Sequence, residues 1–168
     1  EERGFGERVR GMVGSMEHLP FERESLDLIW SEGAIYNIGF RRGLTEWREF
    51  LKPGGSIAVS EACWFTLDRP AEIDEFWAAE YPGIDTVSIK VGQVEKAGYI
   101  PVASFLLPGT CWTDHFYAPQ VEAQEAFLKR HRGNRMALEF IDNQRQEARL
   151  YEKYGEFYGY AFFIGKKR

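Results

Sequence analysis

Four short apolar runs, at residues 26–30, 56–60, 101–107 and 158–164, are separated by stretches whose apolar residues recur at helical spacing. This alternation constrains the fold more than any other feature of the chain. Leu26-Asp27-Leu28-Ile29-Trp30 is a compact run of the kind carried by a strand covered on both faces. Strands joined through helices need crossover connections, which gives an α/β chain with a mostly parallel sheet. A further strand is expected at residues 8–14, where Val9 and Val13 are apolar and Gly14 closes the run. Helices are expected at 40–51, 70–81, 86–97, 119–131 and 134–154. Leu44, Trp47, Phe50 and Leu51 stripe the first of them. Lys52-Pro53-Gly54-Gly55 stops it, because proline cannot continue the hydrogen-bond ladder. A length of 168 residues suits one domain with one core.

In such a sheet ligands bind beyond the carboxyl ends of the strands. The residues expected there are Gly14-Ser15-Met16-Glu17, Ser31-Glu32-Gly33 and Glu61-Ala62-Cys63. Small and polar residues at three successive strand ends fit a ligand edge, and they equally fit ordinary turns. Composition excludes several other chemistries. A net charge of -5 offers phosphates no basic stripe, so no nucleic acid partner is expected. Cys63 and Cys111 stand outside any CxxC or Cys/His cluster, so no metal site and no disulfide framework are expected. No apolar run approaches the ~20 residues that span a bilayer, and the expectation is a cytoplasmic chain without a membrane contact.

Three strings taken in order resemble a known family. Gly14-Ser15-Met16-Glu17-His18-Leu19-Pro20-Phe21, then Ser25-Leu26-Asp27-Leu28-Ile29, then Leu51-Lys52-Pro53-Gly54-Gly55 look like the middle and later motifs of class I S-adenosylmethionine-dependent methyltransferases. The type is the small-molecule one related to quinone-biosynthesis C-methyltransferases. The resemblance implies a Rossmann-like sheet, partial here, whose last strand, 158–164, enters antiparallel beside the third or fourth. It implies S-adenosylmethionine as cofactor and a small-molecule methyl acceptor. Gly14, Ser15, Met16 and Glu17 match the segment that holds the adenine, although Ser15 stands where an aspartate or asparagine is common. Ser31, Glu32 and Gly33 match the turn that approaches the methionine end, where glycine lets the backbone come close. The family's Gly-rich loop and ribose-binding acid would precede the matched segment. Their absence from these 168 residues leads to the expectation that this chain alone binds no cofactor at micromolar concentration.

Methyl transfer from a sulfonium is an in-line displacement that depends on alignment, so no nucleophilic triad is required. A base is needed only when the acceptor must lose a proton as it attacks. His115, with Asp114 beside it, is the candidate base; the alternative is an ordinary surface-loop histidine. Trp64, Trp112 and Tyr117 are candidates for the wall of an apolar acceptor pocket, and they fit a plain core as well. Residues 118–157 form a helical insertion before the last strand. Two non-methyltransferase readings remain. One is a non-catalytic remnant that dimerises through an exposed sheet edge; the other, an NAD-dependent enzyme, lacks its dinucleotide fingerprint.

Overall fold

The computed structural model describes Gly6 and residues 8–168. Five strands form one sheet: β1 (Leu26–Ser31), β2 (Leu51–Trp64), the two-residue β3 (Asp85–Thr86), β4 (Tyr99–Leu106) and β5 (Tyr158–Lys167). Their order is β1-β2-β5-β4, and β3 pairs with β2 beyond the end of β1. β1 and β3 run parallel to β2, while β5 is antiparallel to both β2 and β4. Four strands therefore point one way and the last strand, seated between β2 and β4, points the other. The expected antiparallel insertion is what the structure shows.

Helices α1 (Phe40–Trp47), α2 (Ala71–Glu80) and α3 (Val87–Lys96) lie close to where periodicity put them. Thr86 caps α3, its Oγ1 accepting the Ile89 N–H at 3.3 Å, which satisfies one of the free donors of the first turn. Between β4 and β5 come α4 (Thr110–Trp112), a π-helical turn (Thr113–Tyr117), α5 (Ala118–Arg130) and α6 (Arg135–Tyr154). Phe40, Leu44 and Trp47 of α1 and Val94 of α3 pack on Ile57, Val59, Cys63, Ala161 and Phe163, covering one face of the sheet. A second cluster gathers beyond the strand ends, where Trp64 and Tyr158 meet Trp77, Trp112, Leu150, Tyr151 and Tyr154 from the helices. On the opposite face, Trp30, Phe162 and Phe105 form a row of rings with centroids 5.2 and 5.4 Å apart. Trp30 reaches Phe162 because the β2 residues between them, Ala58 and Ser60, are small.

Four expectations need correction. Residues 8–14 form no strand: no other strand pairs with them, and Val9, Met12 and Val13 stand exposed. Backbone groups join a ladder only where a partner exists, and the one bridge nearby among the described residues links Ser15 to His18. The Lys52-Pro53-Gly54-Gly55 turn belongs to the start of β2, where the pairing jumps from Leu26↔Leu51 to Leu28↔Ser56. β2 continues to Trp64, so Glu61, Ala62 and Cys63 lie inside it rather than after it. Residues 111–117, which fall in none of the expected elements, are helical because their aromatic side chains dock on the second cluster.

Candidate active site

The turn after β1 is shaped by its glycine. Gly33 adopts φ 54°, a left-handed backbone that disfavours any side chain, and its N–H donates to Ser60 Oγ at 2.8 Å. A Cβ at this position would lie 3.2 Å from Tyr160 Oη. Ser60 is buried in β2, so the turn is tied to the sheet's interior. Ser31 Oγ is buried beside it without a hydrogen-bond partner, an orphaned polar atom at the mouth of the strand. Glu32 is exposed and accepts the Trp30 indole N–H at 2.6 Å. An orphaned hydroxyl beside an open glycine turn is what the methionine end of a bound cofactor would require, so these residues fit it.

Gly14, Ser15, Met16 and Glu17 are held by α1. The Trp47 indole donates to the Met16 carbonyl at 3.2 Å, and Arg42 bridges Glu17 and Glu46 at 2.8 Å each. Arg42 holds the exposed Glu17 carboxyl below its usual range. Ser15 Oγ accepts the Glu17 N–H at 3.2 Å, closing a tight turn. Met16 packs on the core cluster that also contains Ile35, the first residue after the Gly33 turn to be buried. The two expected cofactor segments thus lean on the same helix and the short 3-10 turn (Ile35–Asn37) that leads into it.

Beyond the Gly33 turn the structure assembles tyrosines. Tyr36 packs edge-on against Tyr81, centroids 5.9 Å apart, and Tyr160 lies against Trp112 at 5.1 Å. Tyr81 Oη donates to Glu61 Oε1, which also accepts from Lys90 Nζ at 2.8 Å. Lys90 donates in addition to the Gly83 carbonyl at 2.8 Å. Glu61 and Lys90 are both fully buried, an interior ion pair beneath the tyrosines. Burial pushes the Glu61 carboxyl up, and Lys90 and Tyr81 pull against it. Cys63, two residues along β2, is pushed to about 12 by burial and is therefore an inert thiol.

The three expected pocket residues come together in the second cluster. Trp64 and Trp112 are nearly inaccessible and Tyr117 is half-buried. Trp112 is the hub, stacked on Tyr151 at 4.8 Å and edge-on to Tyr117 at 5.8 Å. Tyr117 donates to Glu147 of α6 at 2.9 Å. His115 stands exposed on the π-helical turn, and Asp114 is engaged by the Thr113 hydroxyl at 2.6 Å rather than by His115. Sequence reasoning missed Tyr36, Tyr81, Lys90, Glu147 and Tyr160. Only Lys90 left a signal, as a lone charge on the Val87-Val91-Val94 stripe.

Comparison with known proteins bears on the family and the fold. Residues 1–59 match the family described as "Methyltransferase domain". The sarcosine/dimethylglycine N-methyltransferase of Aphanothece halophytica is 37% identical over 62 residues, which are 36% of this chain and 22% of that relative. The chain therefore spans about a fifth of the length of this curated relative. Among solved structures, YjhP from E. coli superposes with a TM-score of 0.80 at 24% identity, covering 99% of this chain and 69% of that one. A methyltransferase from Geobacter sulfurreducens in complex with S-adenosyl-L-homocysteine gives 0.79 at 19% identity, with 99% and 68% covered. The fold is the Rossmann-like one of class I methyltransferases.

Proposed function

We propose that these residues form the acceptor-side part of an S-adenosylmethionine-dependent methyltransferase acting on a small molecule. The observation that carries the reading is the Gly33 turn: a left-handed glycine, tied to Ser60 and faced by the Tyr160 hydroxyl, with the unpartnered Ser31 hydroxyl beside it. The matched family supports it, and the match ends at residue 59, before the helices that line the acceptor side. Bound there, S-adenosylmethionine would supply an electrophilic methyl group. Gly33 admits its methionine end, and Met16 with Gly14, Ser15 and Glu17 lies where the adenine is expected. Trp64 and Trp112 exclude water from the acceptor side, which strengthens every charge interaction inside. His115, exposed at the rim, is the group we assign to take a proton from acceptors that must lose one.

We also propose a cytoplasmic setting, in keeping with two free cysteines. Self-association through the row of rings on the opposite sheet face is proposed with it. Among the described residues no helix is long and apolar enough to cross a membrane.

The test is calorimetry with S-adenosylhomocysteine on the chain alone and on the chain carrying a preceding Gly-rich strand-loop-helix unit. Binding is expected with that unit and not, at micromolar concentration, without it. Gly33→Val should abolish the binding by driving a side chain into Tyr160. His115→Ala should leave binding intact and slow transfer to a protonated acceptor by about 10²-fold or more. Absence of binding in both forms would overturn the reading.

A further inference from the structure

Glu147 is a carboxylate without a cation. It lies on α6, more than half shielded from water, and its one hydrogen bond among the described residues comes from Tyr117 Oη at 2.9 Å. No Lys or Arg pairs with it, although nine ion pairs are present among the described residues. The other titratable groups that face it are Tyr117 on the π-helical turn, Tyr158 and Tyr160 on β5, and Glu80 on α2. Every one of these is neutral or negative. A shielded carboxylate normally finds a positive partner, because desolvation of an unpaired charge is costly. Burial accordingly pushes the Glu147 carboxyl above its usual range.

The surroundings supply the rest of a cation site. Tyr117 and Tyr160 both pack against Trp112, at 5.8 and 5.1 Å between centroids, so Glu147 borders a wall of aromatic rings. Ring faces attract cations through their quadrupole, and a ring wall with one carboxylate is the usual receptor for alkylammonium groups. The wall is continuous with the Gly33 turn, because Tyr160 Oη lies 3.2 Å from where a Gly33 side chain would begin. A further donor in the cluster, Trp112 Nε1, is buried without a hydrogen-bond partner among the described residues.

We propose that the methyl acceptor is a small alkylamine, bound with its nitrogen between the aromatic wall of Tyr117, Trp112 and Tyr160 and the Glu147 carboxylate. The proposal rests on the methyltransferase reading and names its substrate class. The amine reacts as its free base. Its lone pair forms the new N–C bond while the C–S bond breaks and leaves its electron pair on sulfur. Positive charge thereby moves from sulfur to nitrogen, and any remaining N–H proton is released to water. A carboxylate beside the nitrogen is worth more in the transition state than before it, which is the condition for acceleration.

Tetramethylammonium, which cannot be methylated, serves as the probe, with tert-butanol as its uncharged counterpart and tryptophan fluorescence as the readout on the 168-residue chain. Saturable quenching by tetramethylammonium, and none by tert-butanol, is expected. Glu147→Gln keeps the shape and can still accept from Tyr117, and it should weaken the probe at least tenfold. The same variant should melt higher than the parent at pH ~8. A carboxyl whose folded value is raised stabilises the fold fully below its unfolded range, and that contribution is lost as pH rises through its folded value. The gain should vanish in acid. Equal quenching by both probes, no quenching, or a Glu147→Gln protein that binds normally would overturn the proposal. Amine binding without any cofactor binding would leave this inference standing and sink the methyltransferase reading; methyl transfer confined to uncharged acceptors would do the reverse.

Discussion

Lys90 and Glu61 form an ion pair with almost no access to water, and each has further obligations: Lys90 to the Gly83 carbonyl, Glu61 to the Tyr81 hydroxyl. Phe40 adds its ring face 4.6 Å from the ammonium. Such a pair gains little net stability over apolar residues of the same shape, but breaking it strands a charge in the interior. Lys90→Met alone should therefore cost about 3–5 kcal/mol in urea unfolding. The double change Lys90→Met with Glu61→Gln should recover much of that loss. A single variant as stable as the parent would show that water reaches Glu61. The pair also fixes Tyr81, whose hydroxyl proton is committed to Glu61. The ring of Tyr81 packs edge-on against Tyr36, where the rings of the candidate site begin.

At the level of elements, the Lys52–Gly55 stretch shows why a motif has its residues. A Cβ on Gly55 would meet the carbonyl oxygens of Lys52, Asp27 and Leu26 at 3.0 to 3.2 Å, all of them backbone and unable to swing aside. Gly54 beside it takes φ 76°. Gly55→Ala should thus force β1 away from β2 and cost about 1–3 kcal/mol, read as a lower melting temperature. Periodicity was enough to find β1, β2, β4, β5 and most helices, because each buries a regular face. It failed at residues 8–14, where apolar spacing is strand-like but none of the described strands pairs with them. It also failed at 111–117, where six consecutive polar and aromatic side chains from Trp112 onward carry no period. Gly33 was legible as a candidate because a glycine at a strand end has a backbone reason to be there. Tyr160 and Glu147 were not, since a tyrosine in a strand and a glutamate in a helix are unremarkable until the fold sets them against residues far away in sequence.

For the whole molecule, the two sheet faces differ sharply. One lies under α1 and α3, while on the other Leu28, Trp30 and Phe105 are about half exposed. β1 is moreover an edge among the described residues, with β2 on one side alone. Exposed apolar patches beside an open edge tend to be covered by another surface. We expect the 168-residue chain to self-associate in light scattering at high concentration, and Trp30→Glu combined with Phe105→Glu to shift it toward monomer. A clean monomer in the parent would remove the association proposal while leaving the site untouched.

The placement of β5 carries a consequence for biosynthesis. β2 and β4 never touch as neighbours; the seam between them is a strand whose Lys166 sits opposite Ser56, over a hundred residues earlier in the chain. Until residues 158–167 have been made, a nascent chain holds the paired strands β1, β2 and β3 and an unpaired β4, with no register between them. Long-range pairing of this kind is slow to find and exposed to misassembly while it waits. The Tyr160 hydroxyl beside the Gly33 turn belongs to that same strand, so this wall of the candidate site is missing over the same interval. A nascent-chain protease-protection experiment should therefore show resistance arriving in one late step, once β5 has left the ribosome.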